Sequence, residues 1–255
     1  MPQKKILVTG ASSGIGRATA LLLAQKGHDV MMAARRIDRL AHTAVTTPSV
    51  TGSLSVASLD LADPDSIDKF CVQHGEWLSG IDVLINNAGL ALGREPFQSS
   101  ALDEIQTVIN TNVSGLLRLS RHLIPVMIKR QRGHVVNMGS VAGHTPYAGG
   151  AVYCASKAAV HMLSEALRMD LGGTNVRVSI IAPGRVAETE FSSVRFRGDI
   201  KLAQSVYEGY RVMSAKDVAE TIAWVLERPE HINVQEVVIM PTDQPSATTL
   251  VPFKP

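Results

Sequence analysis

The run Lys5-Ile-Leu-Val-Thr9-Gly10-Ala-Ser12-Ser13-Gly14-Ile15-Gly16 is where the architecture of this chain is first legible. Five residues of strand character stop at a glycine-rich turn, and Arg17 to Lys26 then place apolar side chains at helical spacing. Strand, glycine loop and helix follow one another without a break. Glycine lets the backbone turn tightly and come close to a pyrophosphate, while the free amides at a helix N-terminus attract its negative charge. A tight strand-to-helix connection needs no ligand, but directly after a first strand this pattern is that of a dinucleotide site. It assigns Gly10, Ser12, Ser13, Gly14, Ile15 and Gly16 to cofactor binding.

Working outward, the same alternation recurs. Strands are predicted at 29–34, 55–59, 81–85, 133–138 and 175–181, and helices at 65–74, 102–130 and from about Gly150 to Leu171. No repeat, linker or low-complexity segment interrupts them. The expected fold is α/β, a single-domain Rossmann-type doubly wound parallel sheet with helices on both faces, spanning 1–255. In such sheets ligands bind outside the carboxyl ends of the strands.

The second predicted strand ends in Arg35-Arg36, with no acid to accept from a ribose 2′-hydroxyl; a basic residue there suits the 2′-phosphate of NADP(H). A solvated basic turn extended by Arg39 is the competing reading. Asp60, before Leu61, is placed either to accept from the adenine amino group or to cap the helix at 65–74. Asn86-Asn87-Ala88-Gly89 closes the fourth strand, where side-chain amides can stiffen a cofactor crevice if each finds partners. Asn112 lies mid-helix, against propensity, which points to a local irregularity or to a hydrogen-bonded core amide.

Ser140 follows the fifth strand, and Tyr153 and Lys157 stand four apart on one face of the next helix. A phenol with an ordinary pKa of about 10 is a poor acid-base catalyst at neutral pH, and a fixed cation beside it favours the phenolate. Ser140 can then hold a substrate oxygen against the Tyr153 hydroxyl.

Composition narrows the function classes. Hydrophobic residues make up 45% and charged residues 19%, as in an ordinary soluble domain, and 4% aromatic content with a net charge of +2 disfavours a nucleic-acid surface. Two cysteines, Cys71 and Cys154, are too few for a disulfide framework or a zinc site, so no metal is expected. The apolar run after Met1-Pro-Gln-Lys-Lys5 is too short for a signal peptide or a membrane span. A cytoplasmic protein with no membrane partner is expected.

Thr9-Gly10-Ala-Ser-Ser-Gly14-Ile-Gly16, Asn86-Asn-Ala-Gly89, Asn112-Val-Ser-Gly115, Ser140, Tyr153-Cys-Ala-Ser-Lys157 and Pro183-Gly184 together resemble the short-chain dehydrogenase/reductase family over essentially the whole chain. The resemblance implies an NADP(H)-dependent oxidoreductase acting on CH–OH and C=O groups. Tyr153 is then the general acid/base, Lys157 lowers its pKa and holds the nicotinamide ribose, Ser140 orients the carbonyl, and Asn112 serves a water-linked proton relay. Arg35, with Arg36 beside it, would meet the 2′-phosphate; Asp60, Leu61, Asn87, Ala88, Gly89, Pro183 and Gly184 complete the implied cofactor contacts. Asn87 to Gly93, Pro146 to Gly150, Thr189 to Asp199 and the segment Pro229 to Pro241 resemble more closely the NADP-dependent 3-hydroxy acid dehydrogenases, a group with serine and allo-threonine dehydrogenases and malonic semialdehyde or sulfoacetaldehyde reductases, typically homotetramers. Ala151 and Cys154 stand where many relatives carry Asn and Gly.

The implied substrate is a small 3-hydroxy acid or the corresponding oxo acid or semialdehyde; a broad-range carbonyl reductase and a non-catalytic NADP-binding regulator are the alternatives. Residues 188–213 are expected to form a lid. Within it Arg195 and Arg197 are placed to bind a carboxylate or sulfonate, or to face solvent or pair locally. His144 and Tyr147 are expected in the pocket wall. Cys154 and His161 are read as structural, and Trp224 as core or subunit packing.

Overall fold

The computed structural model describes residues 2–47 and 49–252, so Met1, Pro48 and residues 253–255 of the expected domain lie outside the described residues. The chain alternates as expected. β1 (Lys5–Thr9), α1 (Gly14–Gln25), β2 (Asp29–Ala34), α2 (Ile37–Thr46), β3 (Ser53–Ser58), α3 (Pro64–Gln73), α4 (Gly75–Leu78) and β4 (Val83–Asn86) form the first half. The second half holds α5 (Leu102–Ile109), α6 (Leu116–Lys129), β5 (Gly133–Met138), α7 (Ala151–Asp170), β6 (Val176–Pro183), α8 (Phe191–Arg195), α9 (Ile200–Ser205), α10 (Ala215–Leu226) and β7 (Glu236–Ile239).

The strands make one sheet in the order β3-β2-β1-β4-β5-β6-β7, parallel throughout. The order reverses between β1 and β4, in register Leu7↔Leu84, and this opens a crevice at the carboxyl ends of those strands. Because helices cover both faces, the central strands read as continuous apolar runs rather than alternating ones. Ile6, Val8 and Ile85 pack toward α1 and α10 on one face, and Leu7, Leu84 and Val135 toward Phe70, Leu119 and Leu123 on the other.

A polar ladder crosses this core. The Asn86 amide donates to Asn137 Oδ1 at 2.9 Å and Ser120 Oγ at 3.1 Å, and the Asn137 amide donates to Ser164 Oγ at 2.8 Å. It ties β4, β5, α6 and α7 together through the Asn86 amide nitrogen, while Asn86 Oδ1 has no hydrogen-bond partner among the described residues.

Four expectations change. The helix predicted over 102–130 is broken: residues Asn110–Gly115 form a π-helical turn between α5 and α6. The irregularity falls at Asn112, where periodicity alone cannot distinguish a wider turn. The cap of α3 is Asp63, whose side chain accepts from the Asp65 amide at 2.9 Å, while Asp60 instead accepts from Ala62 at 2.9 Å; the capping reading of Asp60 is overturned by position. A seventh strand, β7, was not expected. Trp224 lies on the exposed side of α10, 46% accessible, with the Arg228 guanidinium 4.8 Å from its ring, so it is not core. Among the described residues no helix is long and apolar enough to cross a membrane.

Candidate active site

A cavity of about 440 Å³ occupies the crevice, within the usual range for small-molecule sites. Gly10, Ser12, Ser13, Gly14 and Ile15 line one end of it, and Asn87, Ala88 and Gly89 the adjoining wall. Gly10 has φ +66°, a conformation that favours glycine. Gly16 is not on the lining, contrary to its assignment as a cofactor contact: a Cβ there would lie 2.4 Å from Asn87 Nδ2 and 2.6 Å from the Gly10 carbonyl oxygen. Its role is to let α1 approach the loop. Thr9, which the sequence reading passed over, accepts the Asn87 and Ala88 amides at 3.1 Å each, and Asn87 Nδ2 donates back to the Thr9 carbonyl at 2.8 Å.

The residues present fit an anionic dinucleotide. Ser13, at the start of α1, makes no side-chain capping bond, and the first turn carries no acid, so its amides are open to a phosphate. At the end of β2, Arg35 lines the cavity and pairs with no carboxylate among the described residues. Arg36 donates to Ser12 Oγ at 3.0 Å, Ser13 Oγ at 3.2 Å and Glu190 Oε2 at 2.5 Å, and Arg39 pairs with the other Glu190 oxygen. These guanidiniums, Arg36 first, hold the Glu190 carboxyl down to about 2. Asp60 and Leu61 line the same cavity, as do Pro183 and Gly184 across it.

Ser140, Tyr153 and Lys157 meet at the other end. Gly150 is the N-cap of α7, so Tyr153 and Lys157 lie in its first two turns and share a face. Lys157 Nζ donates to the Met138 carbonyl at 2.7 Å and lies 5.9 Å from the Tyr153 ring centre. Asn112 lies behind the wall rather than on the lining: its amide donates to Leu90 O at 2.8 Å and Ser156 Oγ at 3.0 Å, and its oxygen accepts the Leu90 amide at 2.9 Å.

The short chain dehydrogenase family model matches residues 4–199. The chain belongs to the short-chain dehydrogenases. This short-chain dehydrogenase is 42% identical over 240 residues to an NADP-dependent 3-hydroxy acid dehydrogenase of Shigella flexneri, covering 94% of this chain and 95% of that one. It is also 42% identical over 239 residues to a serine 3-dehydrogenase of Agrobacterium fabrum, covering 94% of each. Among solved structures, a closed form of serine dehydrogenase complexed with NADP+ superposes with a TM-score of 0.90 at 40% identity, covering 98% of this chain and 100% of that one.

In the Tyr153–Lys157 pair of this dehydrogenase, removal from bulk water pushes the phenol up and the Ser140 hydroxyl acts in the opposite direction, while burial holds the Lys157 ammonium down to about 8. His144 was expected in the pocket wall, but it is exposed and off the lining, with Nε2 2.6 Å from Glu236 Oε1. Its partner lies 92 residues away on β7, beyond any local pattern.

His161 joins that pair, with Nδ1 3.4 Å from Glu236 Oε1, and the three side chains offer ligand atoms within 4.8 Å of one another. His161 Nε2 accepts the Ser140 backbone N–H at 3.3 Å, so in the neutral ring the proton is on Nδ1. That proton stands where an ion would have to bind. The cluster therefore acts as a brace for Ser140.

The segment 188–213, expected as a lid, holds α8 and α9, and the Phe191 ring centre lies 5.3 Å from that of Tyr153. Arg195 and Tyr147 both line the cavity; Arg197 does not, pairing instead with Glu95 and Glu104 at 2.6 Å each. Arg94 and Arg185 also face the cavity and were missed. Arg185 directly follows Pro183-Gly184 at a strand's carboxyl end, a position that singles it out in this fold.

Proposed function

We propose that the chain is an NADP(H)-dependent oxidoreductase that interconverts a small 3-hydroxy acid with the corresponding oxo acid or semialdehyde. The observation that carries this reading is the single cavity with Ser140, Tyr153 and Lys157 at one end and the unpaired Arg35 at the other. When bound, the nicotinamide accepts or supplies the hydride at C4. In the oxidising direction Tyr153 acts as the phenolate, its own proton having left through the water-linked relay proposed at Asn112; the alcohol carbon gives up a hydride and its hydroxyl proton passes to the phenolate oxygen, leaving a carbonyl. Ser140 donates to the same substrate oxygen, and its backbone is held for that task by His161. Lys157 keeps a cation under the ribose side of the cavity, fixed by Met138. Asn112 holds the Leu90 backbone and Ser156 of α7, and so keeps the π turn against the catalytic helix; a proton relay through a water at this turn is part of the proposal.

A broader carbonyl reductase is the second reading, favoured by the apolar wall that Phe191, Val194 and Phe196 give the cavity. A non-catalytic regulator is disfavoured by the complete set of Ser140, Tyr153 and Lys157. A homotetramer is proposed from the family resemblance, supported by the exposed apolar side chains Leu117 on α6 and Met162 and Met169 on α7. A cytoplasmic setting suits the two unbridged thiols, Cys154 buried and Cys71 pushed up to about 11 by burial.

A panel of serine, 3-hydroxypropanoate and neutral ketones with NADP(H) and NAD(H) tests the reading. Turnover of the hydroxy acids with NADP+ in preference to NAD+ is expected. Reduction of neutral ketones alone would select the second reading.

A further inference from the structure

Among the described residues, the substrate end of the cavity carries three guanidiniums and no carboxylate to answer them. Arg195 is buried and fixed by three neutral acceptors: Gly93 O at 3.1 Å, Gly149 O at 3.0 Å and the Tyr147 hydroxyl at 2.6 Å. Its fork has five N–H groups, so two remain for a ligand. The Arg195 and Arg94 guanidiniums lie 5.2 and 5.9 Å from the same Tyr147 ring centre. Arg185 donates to the Val206 carbonyl and has its pKa lowered by burial first and by Arg94 second. Like charges have been gathered here.

The acids nearby are committed elsewhere. Only Asp60 and Glu190 contribute carboxylates to the described cavity lining. Glu190 is held by Arg36 and Arg39, and Asp60 accepts the Ala62 amide beside Leu61. Glu95, next to Arg94 in the chain, pairs with Arg197 and takes the Arg94 backbone N–H, not its side chain. Arg195 is buried, Arg185 half-buried and Arg94 exposed; cations gathered along one cavity wall without an opposing charge mark a site where a ligand supplies it.

Resting on the hydroxy acid reading above, we propose that the substrate carries two anionic groups: a 3-hydroxy or 3-oxo acid with a second acidic group, held by Arg195, Arg94 and Arg185. One carboxylate answers one of three charges, whereas a second brings the site close to balance, and planar guanidinium forks suit carboxylates in bidentate contact. An amino acid fits this pocket poorly, because its ammonium would sit among guanidiniums with no carboxylate to receive it.

The test compares kcat/KM of the NADP+-loaded enzyme for 3-hydroxyglutarate, its monomethyl ester, 3-hydroxybutanoate and serine. The diacid is expected to exceed the ester, which keeps its shape and loses one charge, by about tenfold or more, the effect of one charge-assisted contact. Arg185→Gln and Arg94→Gln should each shrink that ratio severalfold. An equal or inverted ratio overturns the proposal. Turnover of 3-hydroxybutanoate with none of the diacid would sink the dianion alone, whereas turnover of neutral ketones and of no hydroxy acid would sink the reading beneath it. Thermal shift of the NADP+ complex gives a readout independent of turnover: glutarate should stabilise it at concentrations where butanoate does not, and equal shifts would contradict the proposal.

Discussion

Lys157 Nζ donates to the Met138 carbonyl at 2.7 Å, which ties the catalytic helix to the end of β5 rather than to the phenol one turn away. Burial alone holds this ammonium down to about 8, against about 10.4 in an unfolded chain. The folded state thus binds fewer protons than the unfolded state between those values, and stability rises with pH across that window. Lys157→Met removes the buried charge. It should melt higher than the parent at pH 7, with the gap closing as pH rises from 8 past 10, and it should lose turnover. A lower melting temperature at pH 7 would show that the Met138 bond outweighs the burial cost.

Glu190, in the segment proposed as a lid, holds Arg36 and Arg39 beside the glycine loop. Its carboxyl, held down to about 2, contributes this bridge above the unfolded carboxylate range and loses it only as pH falls toward 2, so the bridge does not vary between pH 5 and 8. A 2′-phosphate bound at Arg35 and Arg36, as proposed, would compete with this carboxylate for Arg36. Glu190→Gln should tighten NADPH severalfold by calorimetry and leave NADH unchanged, whereas Arg35→Ala should weaken NADPH roughly tenfold or more, as expected for a charged hydrogen bond. Weaker NADPH binding in the Glu190 variant would mean that the carboxylate orients the arginines instead of competing.

The Ser140 backbone N–H is buried and has its acceptor in His161 Nε2. Removing that acceptor leaves a donor unsatisfied, at a cost of about 1–3 kcal/mol, and frees Ser140 to move. His161→Phe should lower kcat with little change in NADPH affinity. His161→Gln, whose side-chain oxygen reaches the same place, should recover part of the loss. Identical kcat in the two variants would remove His161 from the positioning of Ser140.

The parts of the fold that rest on local pattern were legible. β1, β2 and β5 fall where their apolar runs predict, and α7 starts after Gly150 because an Ala-rich run of helical period follows it. What escaped depends on distance or on a half-buried setting. β7 is four residues long at the sheet edge, with Val238 49% exposed, so it lacks the continuous apolar signal of the strands inside. An irregularity at Asn112 was legible from a mid-helix Asn, but not its form, because a π turn adds a residue without changing the apolar stripe enough to be read. His144 took its place from Glu236, and Arg197 from Glu95 and Glu104, all far away in sequence. The glycine loop and the Ser140, Tyr153 and Lys157 set could be named because their spacing is local. The arginines at the substrate end could be assembled only once the loops were folded over them.

Tyr153→Phe tests the catalytic assignment most directly, because it removes one oxygen and leaves the ring against Phe191. With the hydroxy acid that the parent enzyme oxidises best, the initial rate of NADPH formation should fall by roughly 10²–10⁴-fold, the usual worth of a positioned acid-base group. NADPH binding, read by calorimetry on the same preparation, should stay within about twofold of the parent. Turnover within a few fold of the parent, with cofactor binding intact, would contradict the role of Tyr153 as the acid/base of this site.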